Sequence, residues 1–289
     1  MGVIVPISSI STPRMLLLMK LLSSSFSSLY MSNFAVRPGK LFVGVDMNLT
    51  IIVGDKTTIE SNFSVFVTSY NRWGEQLRSM LFQILSYAES CLVTGDSSFP
   101  KLGRKIERKI LDSVLKQPRL TRLRAGPLNS DRVFYHSGGR YFRKCIREQL
   151  SNEYKELCLQ KGASDAIICL LSSSLYYWFW IGISDCYHVT KRDIDAMPVP
   201  ESLLVDYSIK NLSVALLRDL WKHSEKRVRN RVDGSQREEV NFHVGESKIF
   251  IDSIDTVLAE HYGFTEEELD FIINYDIKYR MGRDSGEEE

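Results

Sequence analysis

The chain has 289 residues, 44% of them hydrophobic and 25% charged, with a formal net charge of +1. This is enough for a sizeable core in one large or two modest domains, and the charge balance is ordinary for a soluble globular protein. The five cysteines (Cys91, Cys145, Cys158, Cys169, Cys186) form no CxxC pair, which argues against a disulfide framework or a zinc site and for a reducing compartment.

The first elements read as strand, helix, strand, strand. GVIVP is a short, fully apolar run, as expected of a buried strand. STPRMLLLMKLLSS follows with a Ser/Thr start, an early proline and a helical apolar face. This apolar opening is not a signal peptide by pattern, because no basic residue precedes it and Pro6, Pro13 and Arg14 interrupt it. SSLYMSNF and VDMNLTIIVG predict two more strands, with RPGK as the turn between them. Residues 1–57 then read as the end of an α/β domain, a sheet fragment whose open edge needs a partner.

From Thr58 to about Pro118 helical periodicity dominates. WGEQLRSMLFQILSYAESCL places Leu77, Met80, Leu81, Ile84 and Leu85 on one helical face, and KLGRKIERKILDSVLK does the same around Leu102, Ile106, Ile110, Leu111 and Val114. RLTRLRAGPLNSDRVFYHSGGRYFRKC reads as short strands joined at a Gly-Gly turn. SNEYKELCLQKGASDAIICLLSSSLYYWFW predicts a return to helix with Ser151 as cap. Its apolar end, about 14 residues from Leu170 to Ile183, is shorter than the roughly 20 a spanning helix needs. A long helix is expected from Glu201 to Arg231. SKIFIDSIDTVLAEHYGFTEEELDFIINYDIKY predicts two helices, the first closed by Gly263 and the second opened by a Thr265/Glu268 capping box. Residues 283–289 read as a disordered tail.

Charge is unevenly spread along this order. Lys101 to Arg147 holds 14 Lys or Arg against 3 Asp or Glu, whereas Glu246 to Glu289 holds 13 acids against 4 bases. The basic middle suggests a polyanionic partner; two solvated faces that offset each other are the plainer reading. Lys101, Arg104, Lys105, Arg108 and Lys109 recur at helical spacing and would form one stripe against phosphates. Arg140, Tyr141, Phe142, Arg143 and Lys144 interleave charge with rings, and Tyr187, His188, Lys191 and Arg192 form a polar turn after the aromatic run. Conventional catalytic motifs are missing: there is no GxGxxG, GxxxxGK[ST], HExxH or GxSxG. His136, His188, His223, His243 and His261 are far apart and read as surface or packing residues. Glu246, Lys248, Asp252 and Asp255 could be thought a nuclease metal cluster, but their amphipathic spacing reads as a solvated face.

The segment SSSLYYWFWIGISDCYHVTKRDIDAMPVP resembles the C-terminal specificity region of N6-adenine DNA methyltransferases of the Eco57I and TaqI kind, which include fused restriction-modification enzymes. GVIVPISSISTPRM is similar to the strand and helix that follow the catalytic motif in that family. RPGKLFVGVDMNLTIIVG resembles a later "klFxgv" motif, and HYGFTEEELDFIINYDIKYRMG its usual carboxyl end. The resemblance implies a mixed α/β fold: residues 1–57 as the truncated end of a Rossmann-like methyltransferase sheet, 58–240 as a mostly helical target-recognition domain, and 241–282 as a C-terminal helical segment. It also implies that Phe42 stacks on a target adenine extruded from the duplex, since the exocyclic amine is out of reach inside the stack. Double-stranded DNA is the implied partner, in a prokaryotic cytoplasm with no membrane role. The family's S-adenosylmethionine loop and NPPY tetrapeptide have no counterpart in this sequence. The expectation is therefore that the chain binds no cofactor and does not methylate alone. S-adenosylmethionine would belong to the complete enzyme, through a catalytic half supplied by a separate chain. A non-enzymatic DNA-binding specificity subunit is the alternative.

Overall fold

The computed structural model describes residues 1–56, 63–90, 99–138, 144–230 and 236–281. It is a mixed α/β chain that groups into two compact units, Met1–Asp112 with Phe179–Cys186, and Ser113–Trp178 with Tyr187–Glu289.

The first unit is built on a five-stranded sheet of β1 (Gly2–Pro6), β2 (Ser28–Phe34), β3 (Leu49–Asp55), β4 (Ser64–Asn71) and β5 (Ala88–Ser90). The strand order is β1-β3-β2-β4-β5, with β2 and β4 parallel and the other neighbours antiparallel. The sheet thus runs on past residue 57, because β4 and β5 extend it beyond the expected fragment. Leu29, Met31, Ile52, Val65 and Val67 bury one face. GVIVP is a strand as expected, but it lies at the sheet edge and Val3 and Ile4 are exposed rather than buried. Helices α1 (Ser8–Ser11), α2 (Leu16–Ser25) and α3 (Lys105–Val114) complete the unit. The helix expected from Trp73 is replaced by a 3-10 turn at Glu75–Met80 and the short β5. Here Trp73 and Leu81 fold back onto Phe34 of β2, and this packing overrides the helical period.

The second unit contains an antiparallel sheet ordered β7-β6-β8, from β6 (Asp131–His136), β7 (Cys145–Ile146) and β8 (Tyr154–Leu159). The helix expected from Ser151 is in fact β8, whose six residues pair along β6. Helix begins only at α4 (Ser164–Leu171), followed by α5 (Ser174–Ile183), the aromatic run, whose residues fall in both units. Tyr176, Tyr177, Trp178, Phe179 and Trp180 are all buried. Then come α6 (Lys191–Ala196) and α7 (Tyr207–Lys222). The helix predicted to reach Arg231 stops at Lys222, and the chain turns into a hairpin of β9 (Ser224–Asn230) with β10 (Gln236–Phe242). Helices α8 (Lys248–Tyr262), α9 (Glu266–Asn274) and α10 (Ile277–Arg280) close the described chain. Gly263 ends α8 in the left-handed conformation at φ 71°, and Thr265 with Glu268 caps α9, both as the sequence predicts.

Candidate nucleic-acid interface

In the first unit, α3 lies beside β4. Its N-terminus is held by the buried Glu107, which accepts from Ser69 Oγ at 2.6 Å and from the Arg104 amide at 3.0 Å. Ser69 Oγ in turn accepts from the Gly103 amide at 2.9 Å. Glu107, Ile110, Leu111 and Val114 turn inward, while Arg104, Lys105 and Lys109 remain exposed and Arg108 is half-buried. Arg108 Nε lies 3.0 Å from Asp112 Oδ1, one turn along. A cleft of about 700 Å³ lies alongside, lined by Phe66, Tyr87, Ala88, Glu89, Ser90, Lys105, Arg108 and Lys109.

Lys101 does not belong to this stripe. It is fully buried, and its ammonium donates to the carbonyls of Gly182 at 3.1 Å and Ser184 at 2.5 Å. A cation placed on the last carbonyls of α5 meets the negative end of that helix, so its role is structural. Helical spacing could not reveal this, because α3 starts only at Lys105.

Phe42 sits on the loop between β2 and β3, not at a strand end in the core. It is 43% exposed, and the adjacent Val43 is 95% exposed. The loop base is tied down. Asn48 Oδ1 accepts from the Val36 amide at 3.0 Å and Tyr70 Oη at 2.8 Å. Arg78 donates to the carbonyl of Lys40 at 2.7 Å and pairs with Glu75, whose carboxyl it holds below the ordinary value. The result is an aromatic tip presented outward on an anchored loop.

In the second unit, Tyr187 is half-buried, His188 and Lys191 are exposed, and Arg192 is half-buried with its Nη2 2.8 Å from Asp193 Oδ1. The turn is fixed at one end by Val189, whose amide donates to Ser137 O at 3.0 Å, and at the other by the Thr190/Asp193 capping box of α6. Lys144 lies over the Phe242 ring at 5.7 Å. Arg140, Tyr141, Phe142 and Arg143 lie outside the described residues.

The acidic residues near α8 do not gather into a site. Lys248 pairs with Asp252, Asp255 is buried, and among the described residues no group of three His, Cys, Asp or Glu could hold a metal ion. Ser202, His261 and Asp206 form a hydrogen-bonded chain, with Ser202 Oγ 2.7 Å from His261 Nδ1 and His261 Nε2 2.7 Å from Asp206 Oδ2. Asp206 also caps α7, accepting from the Ser208 hydroxyl at 2.6 Å and the Ser208 amide at 2.7 Å, and these bonds, with that of His261, hold its carboxyl down at about 2. The trio fastens the α7 entry to the end of α8.

Among the described residues no single helix is long and apolar enough to cross a membrane. α4 and α5 pass that test only as a pair bent by 66°, and both are packed inside protein. No protein-family model matches the chain, and no curated protein matches it.

Proposed function

We propose that this chain is the DNA-recognising part of a site-specific adenine-N6 DNA methyltransferase or fused restriction-modification enzyme, acting with a catalytic half that it does not contain. The observation that carries this reading is the surface of α3, where Arg104, Lys105 and Lys109 stay exposed while the one acid among them, Glu107, turns inward. Cations arrayed on one helix face can displace the counterions of successive phosphates, which supplies sequence-independent affinity. The exposed ring of Phe42 supports the second half of the reading, since a ring that stacks on an extruded base must stand clear of its own core.

The β1–α1 junction offers S-adenosylmethionine no strand-to-helix cradle. β1 passes through Ile7 straight into α1, a four-residue helix, with neither a glycine nor an acid between them to cradle the cofactor. Its methyl group would come from the catalytic half, and this chain's residues would position the duplex and the target base.

The test is duplex binding by the full chain across a salt series. Wild-type affinity is expected to fall linearly on a log–log plot of binding against salt, and Lys105→Glu with Arg108→Glu should weaken binding to all sequences by a similar factor. No binding at low salt, or a change of sequence preference at constant affinity, would overturn the reading.

A further inference from the structure

The cleft beside α3 has a floor that phosphate binding alone does not need. Phe66 and Tyr87 line it, and Tyr30, 41% exposed, stacks behind Phe66 with ring centroids 5.0 Å apart and planes 17° from parallel. Tyr30 also meets Tyr87 edge-on at 5.8 Å, and the Tyr87 hydroxyl is fixed on Ser32 Oγ at 2.6 Å. The rings are thus held in place before any ligand arrives, which lowers the entropy lost on binding. Lys105, Arg108 and Lys109 of α3 line the cleft as well, with Glu89 as the carboxylate among its lining residues, and Arg108 also pairs with Asp112. The volume, about 700 Å³, suits a nucleotide-sized ligand. A purely apolar ligand would leave the cations idle, and a bare phosphate would leave the rings idle.

We propose that this cleft binds an unpaired nucleotide of single-stranded DNA, its base stacked on Phe66 and Tyr87 and its flanking phosphates on Lys105, Arg108 and Lys109. Aromatic stacking is sequence-tolerant because every base has a π face, and the cations track the backbone on either side. The inference deepens the duplex reading, on which it rests for the outward cations of α3, and adds a strand-separated segment as occupant. Ring and cation come from β4, the β5 approach and α3, which are separate in sequence but line one cleft.

The experiment is fluorescence anisotropy of the full chain with a labelled single strand of about 12 nucleotides, the same strand carrying abasic sites, and a duplex of equal length. The intact strand should bind at least about tenfold tighter than the abasic one, and Tyr87→Ala should erase that difference while circular dichroism shows the variant still folded at the assay temperature. Lys109→Glu, on the exposed face of α3, should weaken both strands. Equal binding of intact and abasic strands, or an unchanged preference in Tyr87→Ala, overturns the proposal; so does Lys109→Glu without effect, should Tyr87→Ala fail to fold. Salt-dependent duplex binding without any preference for the intact strand would sink the cleft proposal alone. A Tyr87-dependent preference without duplex binding would sink the duplex reading alone.

Discussion

At the scale of single residues, neighbouring cations in one basic segment do different work. Lys105 and Lys109 face solvent, whereas Lys101, four residues before Lys105, is sealed against Gly182 and Ser184. Lys101→Met removes both ammonium hydrogen bonds; the Gly182 carbonyl keeps the Lys101 amide, but the buried Ser184 carbonyl loses its charged donor. Stability should therefore fall by about 2–4 kcal/mol in urea denaturation, while the folded protein keeps its affinity for duplex DNA. Lys105→Glu should do the reverse. Sequence spacing placed all of these cations on one stripe, because spacing does not mark the start of α3, which Glu107 fixes through the Arg104 amide three residues before it and through Ser69 of β4. The rings of the cleft were missed for a related reason. Tyr30 and Phe66 are directly opposed only through the parallel register of β2 on β4.

At the scale of elements, the aromatic helix α5 shows how a buried helix satisfies its ends. Its first amides are capped from another element: Asp255 of α8 accepts from Ser174 N at 3.0 Å and Leu175 N at 3.3 Å. Arg280 donates to Ser174 Oγ at 2.5 Å. Burial raises the Asp255 carboxyl to about 6 from 3.8, against the opposing pull of the Ser174 bond and the Arg280 charge. The folded state therefore holds this proton in a window where the unfolded chain has released it. Through this group alone, stability falls as pH rises from about 4 to 6, by up to about 3 kcal/mol. Asp255→Asn should flatten that fall, as urea midpoints at a series of pH values would show; an unchanged slope would assign it to other groups. Elsewhere, capping residues made element ends legible, as at Thr265 and Gly263. They did so because such signals act within one turn of chain.

At the scale of the whole molecule, the first unit takes in a distant piece of chain. Phe179–Cys186 groups with Met1–Asp112 and supplies the carbonyls for Lys101 and, from Asp185, the acceptor for Asn48 Nδ2 at 3.1 Å. Asn48 also anchors the Phe42 loop through Val36 and Tyr70. A chain cut after Asp112 is therefore expected to lack a cooperative thermal transition by circular dichroism, whereas the full chain melts cooperatively. A sharp melt of the short piece would mean that the distant segment is dispensable.

Read alone, the sequence determined the mixed α/β class, the strands at Ser28–Phe34 and Leu49–Asp55, the paired helices near the carboxyl end and the buried character of the aromatic run. Each rests on local propensity, capping chemistry or total hydrophobicity, which are carried by adjacent residues. Only the tertiary structure decided that Glu75–Met80 and Tyr154–Leu159 leave the helical state, that Lys101 is internal, and that Phe66, backed by Tyr30, and Tyr87 share one cleft with the cations of α3. Strand pairing and burial set these outcomes, and both depend on partners tens of residues away whose register no local pattern encodes.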